Sequence, residues 1–238
     1  MALKVFLVAL LSVVLVSDCT FRPLDCSELY NSGNRVRGIY SIYPAGDDHV
    51  LVYCHMISRW EDEDIGGWTV IQRRMDGSVN FYRGWEEYKR GFGNVESEYW
   101  LGLENMYQLT HSRNYMLRVD LEDFTGRKGF SQYSNFSVGP ETDGYRLQVS
   151  GFTDGGAGDA LHYQNGMKFS TFDKDQDAWG TGNCAKQHLG AFWYNFCQMN
   201  SNPNSVYLWG EVRDEIGSTW GNRIVGLKTI IMKIRRGS

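Results

Sequence analysis

Three aspartates at alternate positions, in Asp173-Lys-Asp175-Gln-Asp177, are the residues of this chain best suited to ligating a hard cation. On an extended or turning backbone such side chains share one face, so their oxygens converge while Lys174 and Gln176 point away. Calcium (Ca2+) is the cation that such an oxygen set favours. An EF-hand is excluded: counting from Asp173, the sixth position holds Ala178 where glycine is required, and the twelfth holds Cys184 in place of glutamate. A solvated acidic turn has the same pattern, and context must separate the two.

A second group suits contact with an organic ligand. Gly190-Ala-Phe-Trp-Tyr-Asn-Phe-Cys197 is rich in aromatic rings, and a bridge to Cys184 would hold them at one surface location. Aromatic walls with a few backbone donors suit the apolar faces and acetamido groups of sugars, although the same rings can pack a core. Catalytic signatures are missing: there is no GxSxG elbow, HExxH, GxxxxGK or complete GxGxxG, and His49, His55, His111, His162 and His188 are scattered. Without a nucleophile and base together, an enzyme is not expected. Asn135-Phe-Ser137 is the only N-x-S/T acceptor and predicts a glycan on a surface loop, unless the match is a chance one.

These residues need a scaffold, and composition says which kind. The chain has 238 residues, 42% hydrophobic and 22% charged, enough for one large domain with a real core. With 24 Lys+Arg against 28 Asp+Glu, the net charge of -4 gives no broad cationic field for nucleic acid. Residues 1–18 read as an export signal, with Lys4 ahead of an apolar run too short to span a bilayer. The mature chain is then expected outside the cell from residue 19 onward. There the cysteines favour bridges, and five of them leave one over. Sequence proximity favours Cys184 with Cys197 and Cys26 with Cys54. Cys19 then stands on a short arm where it could join a second chain, or it is unpaired or part of the leader.

The elements follow from pattern. Residues 38–44 and 50–54 read as a hairpin across Ala45-Gly46-Asp47-Asp48, and residues 68–72 as the next strand. Glu61 to Asp64 read as a solvated turn. Helices are predicted over residues 84–90, where Glu86 and Arg90 sit one turn apart before Gly91, and over 102–109. Further strands are predicted over 115–121, 145–149 and 230–234. Strands, then helices, then strands give an α+β class with a mostly antiparallel sheet and short helices. From about 151 to 226 the chain is rich in Gly, Asn, Asp and Trp without periodicity, a loop-rich lobe of the kind that carries binding sites.

Taken together, the residues resemble the fibrinogen-related (fibrinogen C-terminal-like) domain family. The resemblance rests on Pro23-Leu-Asp-Cys26, Gly38-Ile-Tyr40, Gly67-Trp-Thr-Val-Ile-Gln-Arg73, Asp76-Gly-Ser-Val-Asn-Phe81, Arg83-Gly-Trp85 and Gly91-Phe-Gly93. It continues through Glu98-Tyr-Trp-Leu-Gly-Leu103, Phe169-Ser-Thr-Phe-Asp173, Asn183-Cys-Ala185 and Met232-Lys-Ile234. Val119-Asp-Leu-Glu-Asp-Phe124, Gly151-Phe-Thr-Asp-Gly-Gly-Ala-Gly-Asp159 and the placing of Cys19 before Cys26 are similar to the microfibril-associated glycoprotein branch. The resemblance implies a fibrinogen-like domain over residues 19–238, with bridges Cys26–Cys54 and Cys184–Cys197. It implies calcium on the Asp173 and Asp175 carboxylates and the main-chain oxygens of Asp177 and Trp179. It also implies a ligand pocket at His188, Phe196, Cys197 and Gln198, with a peptide before Cys197 that is often cis in the family.

The sequence departs from that pattern at the pocket. Gln198 stands where the family usually has histidine, and residues 199–225 are shortened, with Gly210-Glu-Val-Arg-Asp-Glu215 in place of a Tyr-Ala-Asp-Gly run. Gln198 still donates and accepts hydrogen bonds but has no ring to wall an acetyl methyl. No Arg-Gly-Asp triplet occurs. The first expectation is therefore a secreted, calcium-binding recognition protein of the extracellular matrix or innate immunity. It would bind fibre proteins of elastin, collagen or fibrillin type, or cell-surface and microbial glycans, multivalently as a Cys19-linked homo-oligomer. The alternative is a ficolin-type lectin for acetylated sugars.

Overall fold

The computed structural model describes residues 21–46, 48–58, 64–197, 201–210, 216–221 and 226–237. The leader, Cys19 and Gln198 lie outside the described residues, as does the altered 211–215 stretch.

The chain opens with a short helix, α1 (Cys26–Asn31), which the sequence pattern did not announce. Asp25 caps it, its Oδ1 accepting from Glu28 N at 2.8 Å, and this satisfies one of the orphan donors of the first turn. The predicted hairpin follows as β1 (Gly38–Ile42) and β2 (Val50–Ile57), in antiparallel register from Gly38 opposite Cys54 to Ile42 opposite Val50. A disulfide between Cys26 and Cys54, both fully buried, ties α1 to this hairpin. Strand β3 (Gly66–Arg74) is buried at every position, as a strand covered on both faces must be.

Helix α2 (Trp85–Arg90) carries the expected Glu86–Arg90 pair at 3.2 Å and stops at Gly91, whose φ of 95° is open to glycine. Two-residue strands β4 (Phe92–Gly93) and β5 (Tyr99–Trp100) precede α3 (Leu103–Thr110). Long strands β6 (Tyr115–Asp123), β7 (Lys128–Val138) and β8 (Leu147–Gly155) then form a meander. In the loop-rich lobe, α4 (Cys184–Gln187), β9 (Ser201–Asn202) and β10 (Thr219–Trp220) are the described elements before the final strand β11 (Leu227–Arg236). The main sheet runs β1-β2-β3-β11-β6-β7-β8, antiparallel throughout, so the last strand made is inserted at its centre.

Three expectations change. Asp64 does not belong to a solvated turn: it is 8% exposed and pairs with Arg118, which also reaches Asp120 at 2.7 Å. Tyr145 precedes its strand in a left-handed conformation, φ 50°, with its ring fully buried. Asn135 lies within β7 and not on a loop; β7 was missed because its Ser, Gln and Asn residues blur the alternation of apolar positions.

Candidate cation and ligand site

The acidic loop begins in a tight turn in which Thr171 N donates to Lys174 O at 3.0 Å. Asp173 Oδ1 accepts from Thr171 Oγ1 at 2.6 Å and from Trp85 N at 2.9 Å, so the start of α2 fixes this carboxylate. Lys174 turns aside to lay its ammonium 3.7 Å from the centre of the Trp85 ring, a cation–π contact. Gln176 Nε2 reaches inward to Phe169 O at 2.7 Å. The alternation read from sequence is therefore real: the intervening side chains pack, while Asp173 and Asp175 are exposed.

Asp177 behaves differently. It is half-buried, and its two oxygens accept from Trp179 N at 2.8 Å and Cys184 N at 2.7 Å. Burial raises its pKa, aided by the neighbouring Asp175 carboxylate, while those two backbone donors oppose the shift. With its carboxylate spent on the loop, its main-chain oxygen is what it could offer a cation. Trp179 O accepts from Gly182 N at 3.1 Å and keeps a second lone pair. The donor set, two exposed carboxylates and two carbonyls, is hard and oxygen-only, and so fits calcium. The Asp177 carboxylate also lies near the sulfurs of Cys184 and Cys197, but these are joined to each other and offer no thiolate to a soft metal.

The bridge Cys184–Cys197 connects this loop to the aromatic segment. Asn183 caps α4, its Oδ1 accepting from Lys186 N at 2.8 Å, and its Nδ2 donates to Thr171 O at 3.3 Å. Ala178 N donates to Asn195 O at 3.2 Å, and Asn195 Nδ2 to Tyr163 O at 3.0 Å. From sequence, Asn183 and Asn195 stand only within longer motifs and neither is given a role; an Asn directly before a short helix is the available signal for the first.

Most of the aromatic segment is core. Phe192, Trp193 and Tyr194 are at most 2% exposed, with Trp193 Nε1 donating to Tyr145 O at 2.7 Å. Phe196 alone of these rings faces solvent, at 55% exposure, beside the bridge. His188 is 4% exposed and caps the C-terminus of α4, so it is buried and does not meet solvent. The Phe196–Cys197 peptide is trans, unlike the expected cis form, and Cys197 takes φ 43°. The structure thus links Asp175, Asp177 and Trp179 by hydrogen bonds and ties their loop through Cys184 to Cys197 and its neighbour Phe196. The Asp173 carboxylate is held from α2, and His188 is buried at the end of α4.

Comparison with known proteins agrees with this architecture. The profile of the fibrinogen beta and gamma chains, C-terminal globular domain, matches residues 22–236. Microfibril-associated glycoprotein 4 of Bos taurus is 47% identical over 232 residues, covering 93% of this chain and 88% of that protein. Angiopoietin-related protein 2 of Mus musculus is 44% identical over 217 residues, covering 89% of this chain but 43% of that longer protein. The fibrinogen-like globe domain of human ANGPTL2 superimposes with a TM-score of 0.84 at 41% identity, over 91% of this chain and 100% of that one. Lamprey fibrin D-dimer, complexed with the peptide ligand Gly-His-Arg-Pro-amide, gives 0.80 at 35% identity, over 90% of this chain and 74% of that one. On the profile match and on the identity across nearly its whole length, the chain belongs to the fibrinogen C-terminal domain family.

Proposed function

We propose that this chain is an extracellular recognition protein whose acidic loop binds calcium, and that the bound ion holds the Asn195–Cys197 segment in the posture that meets a ligand. Family membership makes it a binding protein and not an enzyme. The names of the microfibril-associated relatives support extracellular fibre proteins as the partner class, and the two bridges accord with secretion. The observation that carries the reading is the pair of links between the loops: Asp177 to Cys184 N at 2.7 Å and Ala178 N to Asn195 O at 3.2 Å.

When bound, the ion supplies two positive charges that cancel the Asp173 and Asp175 carboxylates and cross-link the loop. The chain's own residues do the rest. Trp85 N and Thr171 orient Asp173, and the Asp177 carboxylate transmits the loop's position to the bridge. Phe196 then presents an exposed ring at a defined place. Single contacts of this size are weak, so Cys19 joining two or more chains would supply avidity.

The test is calorimetric titration of calcium into the secreted chain, followed by retention on immobilised matrix fibres in calcium and in chelator, with and without reductant. Heat of binding, calcium-dependent retention and a reductant-sensitive oligomer are expected; a calcium-indifferent monomer would overturn the reading. The exposed Phe196 also favours the acetylated-sugar lectin as the second reading, which requires that free N-acetylated sugar inhibit binding.

A further inference from the structure

A groove of about 710 Å³ lies between the turn after α3 and strands β7 and β8, and none of the residues of the proposed cation site line it. Its base is closed by core residues, Tyr115 and Phe136, at 0% and 2% exposure, so its shape rests on the sheet. Its walls are rich in amides and hydroxyls, among them Gln148, Ser150 and Asn165; Arg113 and Arg146, the latter paired with Asp143, also line it, and among the described residues no carboxylate does. Side-chain amides are well suited to pairing with the hydroxyls of a neutral glycan.

Asn135, the first residue of the single acceptor triplet, is on the wall of this groove. The register explains how a residue of an internal strand comes to be displayed. Tyr115 faces Phe136 but Leu117 faces Tyr133, so Ser134 and Asn135 together oppose Met116. Such a bulge re-aims side chains, and here both residues are exposed where strict alternation would turn one inward. Asn135 Nδ2 donates to Ser150 Oγ at 3.1 Å and to Ser134 Oγ at 3.2 Å, which fixes the amide on the groove wall.

We propose that Asn135 is N-glycosylated and that the first sugars of the glycan lie in this groove, covering the outer end of the sheet. In the transfer, Nδ2 bonds to the anomeric carbon of a sugar carried on a lipid diphosphate. The carbon–oxygen bond to the diphosphate breaks, the lipid diphosphate leaves with the electron pair, and one amide proton passes to a base of the transferase. The second amide hydrogen stays on Nδ2 and can keep the bond to Ser150. In the folded chain the Asn135 backbone is paired with Ser150, so transfer takes place before β8 docks. The glycan then shields β8, which ends the sheet and exposes residues 150–154. An open edge of that kind invites pairing with another chain, and covering it is one way to prevent that.

The experiment uses the full chain secreted from eukaryotic cells, with Asn135→Gln and Ser137→Ala beside it. Ser137→Ala removes the acceptor while leaving the Asn135 side chain in place, should Asn135→Gln fail to fold. Intact mass before and after peptide N-glycosidase treatment should show a glycan on wild type and none on either variant. On the native protein, enzymatic release should be about tenfold slower than after unfolding, because the first sugars are seated and local opening must come first. Amide exchange at residues 111–115 and 148–150 should be faster in Ser137→Ala. A secreted wild type with no glycan at Asn135 overturns the proposal. So does a glycan released equally fast from native and unfolded protein with exchange in the groove unchanged.

Discussion

Asp177→Ala removes a half-buried carboxylate that holds two main-chain donors, Trp179 N at 2.8 Å and Cys184 N at 2.7 Å. A buried donor left without a partner costs about 1–3 kcal/mol, and partial water access favours the lower half of that range. Removing the carboxylate also relieves its burial and its repulsion by Asp175, the two effects that raise its pKa. The net expectation is a loss of about 2 kcal/mol with no ion present, a fall of roughly 4–8 °C in melting temperature for a chain of this size. Asp175→Asn should behave in the opposite way. The side chain is exposed and its replacement nearly isosteric, so melting in chelator should move by no more than about 0.5 kcal/mol. At calcium near 100 times the dissociation constant the wild type should gain about 2.7 kcal/mol, and Asp175→Asn should lose most of that gain. Scanning calorimetry of the three proteins in chelator and in calcium reads both effects. An Asp177→Ala protein as stable as wild type in chelator would refute the assignment of its carboxylate to the loop. Undiminished calcium stabilisation in Asp175→Asn would refute the ligand set.

Gly84→Ala should weaken calcium binding about tenfold without replacing a ligand residue, because the added methyl would sit 2.7 Å from Asp173 Oδ2 and push that carboxylate aside; calcium titration beside a melting curve in chelator separates this from unfolding. His55 has its pKa held down to about 4 by burial and by the nearby Lys233 and Arg37 charges. Its unfolded value is near 6.5, so below that pH the unfolded chain takes up a proton that the folded chain refuses, and stability present above 6.5 is lost as pH falls toward 4. The loss should approach about 3 kcal/mol, and chemical denaturation of His55→Gln at a series of pH values should show a shallower fall over that window than wild type. Arg74→Met should cost about 3–5 kcal/mol in denaturant unfolding, since its guanidinium donates to Pro203 O and Ser205 O at 3.0 and 2.7 Å and faces a fully buried Glu98 at 3.6 Å.

What could be read from sequence divides along the range of the interactions involved. The hairpin, the two helices of the middle region and strand β6 follow from local periodicity and from Gly91, and the structure has them with shifted ends. The insertion of β11 between β3 and β6 is a pairing over more than a hundred residues, and no local pattern encodes it. Asp64 was misread for the same reason: an acid beside other acids looks solvated until Arg118 arrives from a distant strand. At the candidate site the alternation of Asp173, Asp175 and Asp177 was legible, because i, i+2 spacing is a local property of the backbone. The division of labour was not: that Asp177 spends its carboxylate on backbone donors depends on where Cys184 lies, and the inward packing of Phe192, Trp193 and Tyr194 depends on neighbours such as Trp100 and Phe169.

The connection from β8 to β11 is far longer than the loops compact domains ordinarily tolerate, and fixing each of its residues costs about 1–2 kcal/mol of backbone entropy. Much of it meets that cost with a core of its own: Leu161, Phe169, Phe192, Trp193 and Trp220 are all fully buried, and Trp193 packs edge-on to Phe169 at 5.1 Å. Residues 173–182 do not, for none of them is buried. Hydrophobic anchoring is therefore thinnest where the carboxylates are densest, and order there rests on hydrogen bonds to Asp173, Asp175 and Asp177 and on the bridge at Cys184. A cation gathered by those oxygens would act on the stretch with the least other support, so on the proposed function occupancy of this loop would change the posture of Phe196 and leave the main sheet unchanged.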